Sequence, residues 1–293
     1  MKGITIESGV NLKPFCLFLL LWALLLSSGV ILAGVGQVTT DKVDNKKSTY
    51  STGASISSSL SASMHQLGDP ARRLGQGFSF SPYLVDKKRG ISYFGSLSFN
   101  KDYRGERELG LNDLALGLST SIGTAYDKKV LFKIRLSSTI PLSEYSREWS
   151  KLYTALTVAP SAIMKLDALG VPGVTVVYSL RASLFFHQYK ASYTGRANNQ
   201  YAVGNSLAVS YSPMDKLSLG VNGSYGRNFT YDGVSRDGVQ VGENISYSVT
   251  DSTSVTVGHA NGGSPLATNG REIEINIYDR ESSTVYGEIS YGF

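Results

Sequence analysis

Cysteine is almost missing from this chain of 293 residues: Cys16 stands alone. That excludes a disulfide scaffold and a cysteine-based zinc module. Histidine occurs three times, which leaves little for a metal centre, and neither metal nor cofactor is expected. Charged residues make up 17%, against about 25% in ordinary soluble domains. The net charge of +5 is too diffuse to mark a nucleic-acid binder. There is no phosphate-binding glycine loop, no paired-histidine helix motif and no EF-hand loop. Beyond residue 36 no apolar run approaches the length of a membrane helix. What the chain has in quantity is glycine (31) and tyrosine (18).

The single long apolar run is at the start. Lys2 and Lys13 precede Pro14 to Leu26, and the small residues Ser27-Ser28-Gly29 follow. A basic start, an apolar centre and a small-residue exit are the parts of a secretory signal. A signal peptide over 1–33, cleaved near Ala33 to Gly36, is expected, with a polar, flexible lead-in over 34–50. The alternative is a retained transmembrane helix, since Pro14 to Ala33 is long enough to span.

From residue 51 the dominant signal is alternation. Successive strand residues point to opposite faces, so a period of two means two environments. Val130, Phe132, Ile134, Leu136 and Ile140 share one parity, and Lys133, Arg135, Ser137 and Thr139 hold the other. The pattern recurs in about twelve runs: 51–64, 75–85, 90–100, 113–123, 130–140, 154–166, 173–187, 200–212, 216–226, 238–250, 253–261 and 283–293. Such lengths exceed the usual five or six residues of soluble strands and suit tilted strands crossing a bilayer. Short connections (such as Asp86 to Arg89, Pro213 to Asp215 and Asp251-Ser252) alternate with longer ones: 65–74, 101–112, 141–153, 188–199, 227–237 and 262–282. Membrane barrels alternate short periplasmic turns with longer outer loops. Glu272 to Ile277 also alternates and is assigned to the last outer loop.

The aliphatic parity carries aromatics near strand ends. Phe99, Phe186, Tyr201 and Tyr225 fall at outer ends; Phe132, Tyr211, Tyr247, Tyr291 and Phe293 fall at periplasmic ends. These read as two interfacial girdles. The opposite parity is small and polar, as in Ser55-Ser57-Ser59-Ser61-Ser63. A soluble β-sandwich would bury the aliphatic face instead and clothe the other in lysine and glutamate. In hydrocarbon every backbone group must pair, so the strands must close on themselves. The expected fold is all-β: one closed antiparallel up-and-down transmembrane β-barrel of about twelve strands over 51–293.

Val285, Gly287, Ile289, Tyr291 and the terminal Phe293 alternate up to a closing aromatic. This resembles the carboxy-terminal signal of Gram-negative outer-membrane barrels, although Gly287 stands where a large residue is usual. The resemblance implies an outer-membrane location. It also implies barrel assembly machinery reading Val285, Ile289, Tyr291 and Phe293, with membrane lipid and lipopolysaccharide as surroundings.

Inward parity places Lys133 and Arg135 on the fifth strand, Lys165 on the sixth, Arg181 on the seventh and Glu288 on the twelfth. A basic wall then faces one acid across the bore, which biases a narrow tube toward anions. The expected function is a weakly anion-preferring diffusion channel for small solutes. Twelve-stranded porins for acidic oligosaccharides are similar in kind. Competing readings are a closed structural barrel and an adhesion or receptor barrel acting through its charged outer loops. A lipid hydrolase, similar to the outer-membrane phospholipase or lipid A deacylase, would need a histidine base at the outer rim. His259 sits there, but Asn261 stands where the phospholipase has serine, and His65 and His187 show no carboxylate partner. No enzymatic activity is expected. Asn205 and Glu243 break the pattern by sharing the lipid parity, through either a lower membrane boundary or a bulge.

Overall fold

A computed structural model of the chain describes residues 49–65, 72–103, 109–126, 129–265 and 282–293. The expected signal peptide over 1–33, most of the expected lead-in over 34–50 and the segment 272–277 lie outside the described residues.

Twelve long strands run antiparallel in chain order: β1 (Tyr50–Ser63), β2 (Leu74–Asp86), β3 (Ile91–Asp102), β5 (Leu114–Ala125), β6 (Val130–Ile140), β7 (Leu152–Lys165), β8 (Val174–His187), β9 (Asn199–Met214), β10 (Leu217–Thr230), β11 (Ser235–Ser248), β12 (Thr253–Gly263) and β13 (Thr284–Gly292). Leu109–Leu111 adds a three-residue strand, β4, on the edge of β3. Each long strand pairs with its sequence neighbour, and β1 pairs with β13 from Ser55↔Gly292 to Ser63↔Thr284. That last ladder closes the barrel and removes both sheet edges. The chain end is tied into it: Phe293 N–H donates to Ala54 O at 3.0 Å, and Ala54 N–H donates to Phe293 O at 2.8 Å.

The two parities face as expected. Leu180, Leu207, Val221 and Ile245 lie on the outer surface at 47, 48, 63 and 56% exposure. Among the described residues the buried apolar set is only Ala54, Ala155 and Tyr286, while Gln76, Ser183 and Thr256 are buried polar groups. Water-soluble cores invert this. Along β9, Tyr201 and Tyr211 bracket Val203, Leu207 and Val209 on the outer face. Ten residues at about 3.3 Å each, tilted near 45°, rise about 23 Å, close to the ~25 Å apolar band of membrane barrels. On the inner face hydroxyls bond across strands, Ser57 to Ser79 and Ser246 to Thr256, both at 2.8 Å.

The turns between strands are local chemistry. At 87–90 the buried Asp86 carboxylate accepts from Lys88 N–H (3.0 Å) and Arg89 N–H (3.1 Å), and Gly90 takes φ +66° to re-enter β3.

Two expectations need correction. The strict alternation of short and long connections fails at 227–237. There β10 and β11 continue upward to a tight turn, because Arg227 and Asp237 pair across the ladder and Thr230 and Asp232 bond within the turn. The inner face is also not uniformly small. Tyr83, Phe94, Phe185 and Tyr286 share it, and glycines on neighbouring strands make the room. At Gly117, opposite Phe94, a Cβ would lie 2.5 Å from the Phe94 ring.

Candidate functional site: the charged inner wall and its mouth

The register brings the basic residues onto adjoining strands. Arg135 pairs with Ser119 on β5 and Ala159 on β7. The β7–β8 pairs Val158↔Ala182 and Ser161↔Ser179 set Arg181 beside the same Ala159. The two arginines therefore flank one alanine on the inner face, two strands apart, about 10 Å between backbones. Lys133 lies two residues from Arg135 toward the end where Tyr50 and Phe293 lie, opposite Ser121 and Ser161. Lys165 is at that end of β7, opposite Thr175. Glu288 lies on β13, between Ser59 and Thr256, and accepts from Ser290 Oγ at 3.2 Å.

Each arginine is held. The Arg135 guanidinium sits 3.7 Å from the centroid of the Phe94 ring, a cation–π contact that fixes a long side chain against the wall. Arg181 Nε donates to Ser183 Oγ at 3.1 Å, and the almost fully buried Ser183 hydroxyl is 2.8 Å from Thr157 Oγ1.

At the loop end, residues 141–151 form a strap. Ser150 N–H donates to Tyr145 O at 2.9 Å, a five-residue step, so Tyr145–Trp149 is one π turn. Asp113 fastens it: its Oδ1 accepts from Leu142 N–H (3.0 Å) and Ser143 N–H (2.9 Å), and its Oδ2 from the Ser146 hydroxyl. Partial burial acts to raise the Asp113 pKa, but the bonds from Ser146, Ser143 and Leu142 outweigh it and hold the carboxyl below its ordinary value. The strap and the loop 188–198 line an open cavity of about 460 Å³ at the mouth, with Arg181, Thr157 and Ala155 contributed by the barrel wall.

The residues of the expected assembly signal, Val285, Ile289, Tyr291 and Phe293, lie together on β13 and its end. Val285 and Phe293 are exposed, and the Tyr291 and Phe293 rings stack with centroids 6.0 Å apart.

Three features escaped the sequence reading. Phe94 was passed over among the serines of β3. His259 has a carboxylate partner after all: it lies directly across from Glu243, with Nδ1 3.3 Å from Oε1. No register shift occurs beside Glu243 or Asn205, so both keep the outer face without a bulge. Trp149 is turned to the cavity rather than being only a solvated loop tip. The His259–Glu243 pairing was legible by symmetry: residues 243 and 259 are each eight positions from Asp251 in the β11–β12 turn.

No protein-family profile matches the chain, and no curated protein matches its sequence. Solved structures do match. The COG4313 outer membrane channel from Pseudomonas putida F1 superposes with a TM-score of 0.58 at 10% identity, covering 86% of this chain and 100% of that one. The NanC porin superposes with a TM-score of 0.52 at 9% identity, covering 81% of this chain and 98% of that one. Closure and the outward aliphatic belt agree with these likenesses on one conclusion: the chain folds as a closed barrel of twelve long antiparallel strands, similar in fold to those outer-membrane proteins.

Proposed function

We propose that the barrel is a narrow diffusion channel for small solutes with a weak preference for anions. The observation that carries this is the arrangement of Lys133 and Arg135 on β6 and of Arg181 on β8, on the inner face either side of β7, with Lys165 below them on β7. Arg196 and Arg236 extend the same sign of charge into the mouth. Against them stand Glu288, Asp102 and Asp113, and the Asp113 oxygens are already engaged by the strap. Fixed charge in a low-dielectric tube raises the local concentration of its counter-ion. The channel likenesses support passage of small solutes as the reading of this fold.

The assay is a planar-bilayer recording under a salt gradient. A reversal potential of anion-selective sign is expected, reduced by Arg135→Ala and Arg181→Ala. Absence of conductance, or cation preference surviving both substitutions, overturns the reading. In the first case a closed structural or receptor barrel takes its place.

The terminal Val285, Ile289, Tyr291 and Phe293 are proposed as the strand read by the barrel assembly machinery in the outer membrane, before that strand pairs with β1. Lipid and lipopolysaccharide surround the finished barrel in this reading.

A further inference from the structure

The cavity at the mouth has features that simple conduction does not require. Its walls are built. Asn198, 6% exposed, donates from Nδ2 to Ser150 O and to Tyr189 O, both at 2.9 Å. Tyr193 N–H donates to Trp149 O at 2.8 Å, and Tyr231 N–H to Asn198 O at 3.0 Å. Strap, neighbouring loop and the β10–β11 turn are thus bonded into one frame. A frame ordered in advance costs little to order when something binds.

The lining has two chemistries. Arg181, Arg196 and Arg236 line one cavity, and the single acidic residue among its lining residues is Asp113. Planar guanidinium forks match carboxylates with paired hydrogen bonds. Trp149, Phe185 and His187 add aromatic side chains to the lining. His187 is held between Phe185, at 6.2 Å centroid to centroid, and Tyr231, at 5.9 Å. Its Nδ1 is buried and has no hydrogen-bond partner among the described residues. A volume of about 460 Å³ is in the range of small-molecule sites.

We infer that this vestibule is a recognition site for a small carboxylate carried on a ring, either an aromatic acid or a uronic acid, engaged before passage. The inference rests on the anion-channel reading and deepens it. The guanidinium groups take the carboxylate, and Trp149 takes the face of the ring. Arg181, at the floor, belongs both to this site and to the inner wall, so a bound anion is handed inward along the same line of charge.

The test uses the exported chain, which beyond its leader carries Trp149 as its single tryptophan, Trp22 lying in residues 1–33. Emission of Trp149 is followed in detergent-solubilised barrel during titration with benzoate and with glucuronate. Benzyl alcohol and glucose supply the uncharged rings, and chloride the ringless anion. A saturable change with at least one ring carboxylate is expected, with the uncharged rings and chloride producing none. The arm that responds tells aromatic acid from uronic acid. Arg196→Ala and Arg236→Ala should each weaken binding roughly ten- to hundredfold. Arg236→Lys should recover part of it, and Arg227→Ala on the outer face should leave it unchanged. Equal responses to charged and uncharged rings overturn the inference, as does a flat titration with both carboxylates. If the flat protein still conducts anions, the site is wrong and the channel stands. If a saturating protein conducts nothing, the channel is wrong and the site stands.

Discussion

Leu207 tests the assignment of faces most directly. It lies midway between Tyr201 and Tyr211 on β9, is 48% exposed on the outer surface, and is flanked across the ladder by Tyr178 and Gly223. Its neighbour Ser206 points inward, between Ser179 and Ser224. Arginine at the bilayer midplane on a barrel's lipid face costs about 2–4 kcal/mol. Leu207→Arg should therefore lower the folding equilibrium constant by about 30- to 900-fold. Ser206→Arg places the same side chain in a solvated bore and should cost well under about 1 kcal/mol. The assay is reversible denaturant titration of the barrel in lipid vesicles, followed by the heat-modifiable shift in gel mobility. Equal costs for the two substitutions, or a larger cost for Ser206→Arg, would refute the assignment of the aliphatic face to lipid.

Three further outcomes follow from named contacts. Gly117→Val should destabilise the β5–β6 pair by about 1–3 kcal/mol, and Phe94→Ala in the same chain should restore only part, because the added carbon also meets the backbone of Leu136; vesicle denaturation reads both. Asp113→Ala should free the strap and shift Trp149 emission toward that of water-exposed indole. Because the Asp113 pKa is lowered in the folded state, its contribution is complete above the ordinary carboxylate value of about 3.9 and disappears as pH falls through the lower folded value. Emission should accordingly hold constant from neutrality to about pH 5 and change only below about pH 4; a transition near neutrality would contradict the fastening described. Glu243→Ala should cost about 1 kcal/mol by removing the partner of His259, whereas Glu243→Leu should recover stability if the pair faces hydrocarbon, as vesicle denaturation would show.

The fold was legible because it follows from a single periodicity. Val130 to Ile140 alternates cleanly, and one alternating run, repeated, dictates strands with two unlike faces. The inward parity of Arg135 and Arg181 came with it, since parity needs no tertiary knowledge. The connection 227–237 was misjudged because Arg227 and Asp237 look like loop residues until the register sets them opposite each other. Phe94 was missed because a large ring on a small-residue face is permitted only by a glycine on another strand, Gly117, and nothing local announces it.

By itself the sequence determined strand number, closure, antiparallel order and which face meets lipid, because alternation and turn spacing are local properties and hydrocarbon tolerates no open edge. The tertiary structure alone decided that Arg135 rests on Phe94 and that Trp149 and three arginines line one cavity. The cavity is framed by long-range bonds such as Asn198 to Ser150, 48 residues apart. Loops far apart in the chain meet only after the barrel has closed and set the height of every strand.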